Sequence, residues 1–166
     1  MKQVWAPWRI EYILGPKPGE CIFCTMPAED TDRDNLILYR GERNFIIMNR
    51  YPYNSGHLMI VPYFHTSSFE GLDSLTLSEM MELTRASVEC LEEVMRPEGF
   101  NTGLNIGQAA GAGIREHLHM HVVPRWAGDS NFMAALDEVR VIPEHLMSTY
   151  DKIHKVIGKH AQRTQG

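Results

Sequence analysis

Three histidines at alternating positions, His117, His119 and His121, have the greatest capacity for chemistry in this sequence. Single apolar residues separate them. Side chains of a β-strand alternate between its faces, so in a strand the three imidazoles share one face and lie on the order of 7 Å apart. An imidazole can be neutral or charged near pH 7, and can act as a nucleophile, a metal ligand or a hydrogen-bond donor to phosphate. Two other interpretations are an exposed polar sheet face and a His-x-His metal site, which needs further ligands.

The same stretch resembles the signature of a known family. Histidines spaced by single apolar residues and followed by Pro124 and Arg125 are similar to the histidine-triad (HIT) motif of nucleotide hydrolases and transferases. The resemblance extends over almost the whole chain. Three segments most resemble the bacterial diadenosine-tetraphosphate phosphorylase subgroup. They are Trp-Ala-Pro-Trp-Arg at the start, Gly-Ala-Gly-Ile-x-Glu-His before the triad and Pro-Arg-Trp-x-Gly-Asp at its end.

The resemblance implies a nucleotide-binding site assembled from several parts of the chain. In the family, the residue matching Asn49 contacts ribose, the residue matching His57 lies near the phosphates, and Asn105 matches an Asn that precedes a small-residue loop. Without the resemblance, Asn49 would be interpreted as a turn residue at a strand end and His57 as a half-buried strand histidine. The predicted nucleotide-binding residues are Asn49, His57, Asn105, Gly111, Gly113 and His121.

The small-residue loop, residues 107–113, is the predicted phosphate cradle. Small residues let backbone N–H groups approach phosphate oxygens closely, which makes Gly111 and Gly113 candidates for phosphate contact. The loop is one residue longer than in common hydrolases of the family. It also lacks the hydroxyl residue with which many members help the leaving group, so the donor to the leaving group is left open.

The implied reaction is nucleotidyl transfer through a phosphohistidine. Neutral His119, with its far nitrogen protonated and held by a backbone carbonyl, attacks the α-phosphorus. His121 and the loop N–H groups then stabilise the charge on the phosphoryl oxygens. With orthophosphate as acceptor the enzyme is a phosphorylase of diadenosine tetraphosphate, which is the predicted function. Water as acceptor would make it a hydrolase, an amine leaving group would make it a phosphoramidase, and a nucleotide-binding regulatory module is the alternative outside enzymes.

Two of the three cysteines form a second motif, Cys21-Ile-Phe-Cys24. A Cys-x-x-Cys turn separates two thiolates by about 3.5–4 Å, the spacing of two corners of a zinc tetrahedron. Alternatives are redox chemistry and two packed thiols. No second such pair exists, and His65 and His117 are the candidates for the remaining ligands. The resemblance implies that these four residues hold a structural zinc ion, with His117 in a supporting role.

Composition restricts the class of protein. The chain has 166 residues, 43% hydrophobic and 22% charged, as in a soluble globular domain. Its formal net charge of −5 argues against non-specific nucleic-acid binding, which requires a basic surface. No apolar run is long enough for a membrane helix, and the N-terminus lacks the apolar core of a signal peptide. We therefore expect a cytoplasmic protein with neither a nucleic-acid nor a membrane partner. A nucleotide partner is what the resemblance implies.

The helices and strands that the sequence predicts around the candidate site residues indicate an α+β fold. The expected architecture is HIT-like, a mostly antiparallel five-stranded sheet with one long helix on one face. The helix is predicted over 76–95 with a Thr76–Glu79 capping box. The predicted strands cover 35–40, 44–49, 57–62, 100–106 and the triad segment.

The whole chain, 1–166, is predicted to be a single HIT domain. Residues 1–20 form an aromatic N-terminal arm, which is expected to lie over the domain surface or a subunit boundary. Residues 143–158 form a C-terminal helix, after which the polar end is expected to fray. The family forms homodimers, so the resemblance implies a dimer in which the sheet continues across the two-fold axis.

Overall fold

Five antiparallel strands form one sheet in the computed structural model, which describes residues 19–129 and 144–162. The order across the sheet is β1-β2-β3-β5-β4, and every neighbouring pair is antiparallel. This confirms the predicted α+β architecture. The strand bounds are β1 Ile37–Arg40, β2 Asn44–Met48, β3 Leu58–Pro62, β4 Gly99–Leu104 and β5 Met120–Arg125.

The triad strand begins later than predicted. Strand β5 starts at Met120, so His121 lies in a regular strand whereas His117 and His119 precede it. The backbone before Met120 is held locally instead. The N–H of Leu118 donates to the carbonyl of Thr66 at 2.6 Å, and the side chain of His119 contacts the carbonyl of His117 at 2.8 Å. The carbonyl of His117 bonds to this side chain and not to a neighbouring strand, which explains why β5 starts only at Met120.

The long helix, α3, spans Ser74–Met95 and its cap differs from the predicted one. The carboxylate of Asp73 accepts from the backbone N–H of Thr76 at 2.7 Å, so Asp73 is the N-cap and the helix starts two residues earlier. Glu79 therefore belongs to no capping box. Its carboxylate accepts from the backbone N–H groups of Glu42 and Arg43 and from the side-chain amide of Asn44. The predicted Thr76–Glu79 pairing is wrong because both groups have other partners.

A second helix, α4, spans Leu146–Gln162 and packs against α3 and β1. It begins and ends later than the predicted 143–158, and residue 143 lies outside the described residues. The expected fraying of residues 159–166 is wrong for the described part, 159–162. His160 is buried, and both of its ring nitrogens face carboxylates of α3, Glu89 at 3.3 Å and Glu93 at 2.8 Å. These contacts extend the helix by a turn.

The two faces of the sheet have different roles. Leu58, Ile60 and Val122 face the helices and belong to the hydrophobic core. Alternation along β5 places His121 on the opposite face, where its partners in the register are Met59 of β3 and Gly103 of β4. The histidines therefore lie on the face opposite Leu58, Ile60 and Val122, and buried apolar side chains such as Met59 pack beside them on that face.

The N-terminal part of the described chain closes over the histidine face. A short helix α1, Ile22–Thr25, is followed by a second short helix α2, Asp32–Asn35. Phe23 of α1 is buried, and its ring contacts the rings of both His117 and His119 at centroid distances of 5.5 and 5.1 Å. Residues 1–18 of the predicted arm lie outside the described residues.

The predicted dimer stays a prediction. Strand β4 lies at one end of the sheet order, and no strand among the described residues pairs with its outer edge. None of the helices in 19–129 and 144–162 has the length and apolar character needed to span a bilayer.

Candidate active site and metal site

His119 is held in one tautomer by the backbone. Its Nδ1 lies 2.8 Å from the carbonyl oxygen of His117, and because a carbonyl can only accept, Nδ1 carries the hydrogen. Nε2 of a neutral ring then presents a lone pair. Burial lowers the pKa of His119, and the hydrogen bond to the His117 carbonyl opposes this shift. The ring is therefore neutral near pH 7, the state that a nucleophile or ligand needs.

A chain of hydrogen bonds also sets the tautomer of His121. The backbone N–H of Tyr53 donates to Nδ1 of His57 at 3.1 Å, so Nε2 of a neutral His57 carries the hydrogen. That Nε2 lies 2.9 Å from Nδ1 of His121, which must accept. The hydrogen of a neutral His121 is consequently on its own Nε2. Burial, followed by the proximity of His119, lowers the pKa of His121 to about 4, so the group is a neutral N–H donor.

The rings of His119 and His121 form one site. Their centroids are 4.7 Å apart, so the lone pair of the first and the N–H of the second belong to the same small region. The side-chain amide nitrogen of Asn105 lies 3.4 Å from Nε2 of His121. Because that Nε2 carries the hydrogen of His121, the hydrogen bond forms with the amide turned over, so that its oxygen accepts. A nucleophilic nitrogen beside a fixed neutral donor is an arrangement suited to attack on a phosphorus atom whose oxygens need hydrogen bonds.

Asn49 contacts the same network from the end of β2. Its amide nitrogen is 3.3 Å from Nδ1 of His57, and its oxygen accepts from the N–H of Tyr51. Gly111 and Gly113 lie in the exposed loop between β4 and the triad, where Gly107 and Gly111 have positive φ. The predicted residues Asn49, His57, Asn105 and His121 are thus brought together by hydrogen bonds, whereas phosphate contact by the loop glycines stays a prediction.

The predicted metal ligands converge on one point. One donor atom from each of Cys21, Cys24, His65 and His117 lies within 4.8 Å of the others. Nδ1 of His117 is 3.3 Å from Sγ of Cys21 and 3.6 Å from Sγ of Cys24, which in turn is 3.3 Å from Nδ1 of His65. In a zinc tetrahedron a sulfur and a nitrogen ligand lie about 3.5 Å apart.

The surroundings of His117 fit a metal ligand as well. Its Nε2 lies 2.8 Å from the carbonyl oxygen of Pro62 and therefore carries the hydrogen, which leaves the lone pair on Nδ1 facing the thiols. Ligating imidazoles commonly donate their other N–H to such a carbonyl. Burial lowers the pKa of His117 and raises that of the Cys21 thiol. The donor set, its spacing and this tautomer all fit zinc.

Sequence reasoning missed four residues of the site. Phe23 covers His119, and Tyr53 lies against His57 with ring centroids 4.7 Å apart. The side-chain amide of Asn54 donates to the carboxylate of Asp129 at 2.9 Å and joins the loop before His57 to the turn after β5. A signal existed for each: Phe23 lies between the two cysteines, Tyr53 and Asn54 lie in the segment before His57, and Asp129 ends the Pro-Arg-Trp-x-Gly-Asp segment.

Comparison with known proteins agrees with this geometry. A family model described as the HIT domain matches residues 30–128. The AP-4-A phosphorylase of Mycobacterium tuberculosis is 39% identical over 157 residues, which cover 90% of this chain and 80% of that protein.

Solved structures show the same fold. A zinc-bound histidine triad family protein from Mycobacterium smegmatis superposes with a TM-score of 0.69 at 23% identity, covering 87% of this chain and 97% of the other. A histidine triad nucleotide-binding protein from Sulfolobus tokodaii gives a TM-score of 0.65 at 25% identity, covering 87% and 94% of the two chains.

Proposed function

The chain belongs to the HIT domain family and is an enzyme of that family, and from that premise we propose that it transfers an adenylyl group from diadenosine tetraphosphate to orthophosphate through a covalent nucleotidyl-histidine. The substrate is supported by the 39% identity to a protein named AP-4-A phosphorylase. The covalent route is supported by one observation above the others, the 2.8 Å contact between Nδ1 of His119 and the His117 carbonyl.

In the first step, Nε2 of His119 attacks the α-phosphorus. A P–N bond forms, the bond from phosphorus to the bridging oxygen breaks, and ATP leaves with the electron pair. The hydrogen on Nδ1 stays on the ring, so the adenylylated imidazole carries a positive charge that the His117 carbonyl stabilises. This charge makes the ring a good leaving group in the second step.

In the second step, an oxygen of orthophosphate attacks the same phosphorus from the side vacated by ATP. A P–O bond forms, the P–N bond breaks, and ADP is released while His119 returns to its neutral form. Attack by water in place of phosphate would release AMP. The balance between the two acceptors distinguishes a phosphorylase from a hydrolase.

His121 stabilises both steps from a fixed position. Its Nε2–H, set by His57, donates to a phosphoryl oxygen on which negative charge grows. His121 stays neutral well below pH 7, so it donates a hydrogen bond without transferring the proton. Asn105 and the N–H groups of the 107–113 loop are the proposed further phosphate contacts, and Asn49 is the proposed ribose contact.

A structural zinc ion held by Cys21, Cys24, His65 and His117 is also part of this proposal. When bound, such an ion cross-links three segments of the chain and supplies no group to the reaction. The support is the convergence of the four donors and the orientation of His117 by the Pro62 carbonyl. His117 therefore fixes the position of the carbonyl that orients His119.

The test is a product analysis. The protein is incubated with diadenosine tetraphosphate with and without orthophosphate, and the nucleotides are separated. ATP plus ADP, formed only with phosphate, is the expected result. ATP plus AMP without phosphate would replace the phosphorylase by a hydrolase. Absence of product in both reactions would refute turnover of this substrate and would favour a phosphoramidase or a nucleotide-binding module.

A further inference from the structure

Asp129 lies at the turn after β5 and accepts an unusual number of hydrogen bonds. Its side chain is only 9% exposed. Arg125 donates to it in a bidentate manner, Nε to Oδ2 at 2.6 Å and Nη2 to Oδ1 at 2.9 Å. Oδ2 also accepts from the side-chain amide of Asn54 at 2.9 Å and from the backbone N–H of Trp126 at 3.1 Å. Oδ2 thus accepts from three donors and Oδ1 from a fourth. A carboxylate can do this because both of its oxygens accept, whereas an amide has a single acceptor oxygen.

Asn54 connects this carboxylate to His57. Its amide nitrogen donates to Asp129 and to the carbonyl of Pro124 at 3.1 Å, which uses both of its hydrogens. Its side-chain oxygen accepts from the N–H of Ser55, and its backbone carbonyl accepts from the N–H of His57 at 3.2 Å. The two amide hydrogens of Asn54 therefore tie the loop to the end of β5, and its two carbonyl oxygens hold the loop up to His57 together.

The link has a direct geometric consequence for the histidines. β5 carries His121, and the loop carries His57, whose ring sets the tautomer of His121 through a 2.9 Å contact. That distance depends on the position of the loop relative to the strand. Arg125 extends the link to β4, because its Nη1 donates to Asn101 at 2.7 Å.

We propose that Asp129 is a positioning residue of the active site: through Asn54, its carboxylate holds the loop bearing His57 at the distance from β5 that keeps His121 as an Nε2–H donor. This inference rests on the proposed function for its effect on turnover. Its effect on the imidazole tautomers is independent of that function.

The experiment compares Asp129→Asn with a matched carboxylate elsewhere. Glu79 likewise accepts three N–H groups, from Glu42, Arg43 and Asn44, but they belong to the β1–β2 turn region and none is a histidine. Glu79→Gln is therefore expected to lower the melting temperature and to leave kcat unchanged. Asp129→Asn removes the charge and leaves a single acceptor oxygen for the four donors. Asn54→Ala removes the Asn54–Asp129 hydrogen bond outright and keeps the Arg125–Asp129 pair, so it breaks the link even where the first variant still accepts from Asn54 or fails to fold.

Two measurements are made on each variant. With diadenosine tetraphosphate and orthophosphate, Asp129→Asn and Asn54→Ala are expected to lower kcat about tenfold, because a displaced donor stabilises the transition state less, with KM changed less than about twofold. Nitrogen-15 NMR of the labelled histidines is expected to show the fixed Nε2–H tautomers of His57 and His121 in the unsubstituted protein and a mixture in both variants.

The outcomes separate the two proposals. No turnover by the unsubstituted protein would refute the proposed function and leave the tautomer spectra as the test of Asp129. Unchanged His57 and His121 spectra in a folded Asn54→Ala variant, which has lost the link, would overturn the positioning role. An equal loss of kcat in Glu79→Gln would do so too, because the effect would then reflect general destabilisation.

Discussion

The buried neutral state of His121 should make the stability of the folded protein fall in mild acid. His121 is 8% exposed, and its surroundings include the rings of Tyr53, His57 and His119. Burial and, to a lesser extent, His119 lower its pKa to about 4, against about 6.5 for an unfolded histidine. As the pH falls from 6.5 to 4, the unfolded chain takes up a proton at this site before the folded chain does.

The size of the effect follows from these two pKa values. The contribution of His121 to the free energy of unfolding is fully present above pH 6.5 and is lost as the pH falls through about 4. At pH 5 the loss is about 2 kcal/mol relative to pH 7.5. A loss of this size is a substantial part of the total stability of a typical domain.

Urea unfolding of the protein and of His121→Gln at pH 7.5 and pH 5 measures this contribution. Protonation of the metal ligands and of His119 also destabilises the fold in acid, but these groups are present in both proteins. The difference in unfolding free energy between the two proteins isolates His121, provided that protein concentration and zinc are held constant. We expect this difference to move by about 2 kcal/mol in favour of the variant at pH 5. A difference that stays constant within about 0.5 kcal/mol would refute the neutral buried state.

Three further predictions concern the nucleophile, the metal ligands and the carboxylate of Glu79, which lies outside the site. His119→Ala should lower kcat with diadenosine tetraphosphate more than about 1,000-fold while far-UV circular dichroism remains native, and near-normal turnover would exclude His119 as the nucleophile. Protein purified without a metal-affinity tag should contain about one zinc ion per chain by elemental analysis. Cys24→Ser should lower that zinc content. Cys90→Ser should leave it unchanged, because Cys90 is a buried thiol outside the ligand cluster, with its pKa raised to about 12. Glu79→Gln should cost about 1–2 kcal/mol in urea unfolding, since it removes an acceptor from donors in the β1–β2 turn region, and a neutral effect would mean that water replaces the carboxylate there.

The metal cluster shows how far sequence reasoning reaches. The spacing of Cys21 and Cys24 indicated two ligands, and the resemblance supplied His65 and His117, which the fold brings within 4.8 Å of the thiols. The choice among zinc, redox chemistry and packed thiols depended on where the histidines lie, because two thiols alone do not define a coordination geometry.

The corrected elements show where sequence reasoning fails. Thr76 and Glu79 satisfy the local pattern of a capping box, yet Asp73 caps the helix and Glu79 bonds to the β1–β2 turn region. A capping-box pattern considers only hydrogen-bond donors and acceptors that are close in sequence. It does not include partners that are distant in sequence, and here those partners decided which pairs form.

The sequence by itself determined the periodicity that places the three histidines between apolar residues, the pair of cysteines and the α+β architecture. Through the resemblance it also predicted most of the candidate site residues. Only the tertiary structure decided which nitrogen of each ring carries a hydrogen. That assignment depends on the His117 and Pro62 carbonyls and on the Tyr53 N–H, which are brought to the rings by folding. An imidazole can be a nucleophile, a donor or a ligand, and its role is set by the hydrogen bond at its other nitrogen.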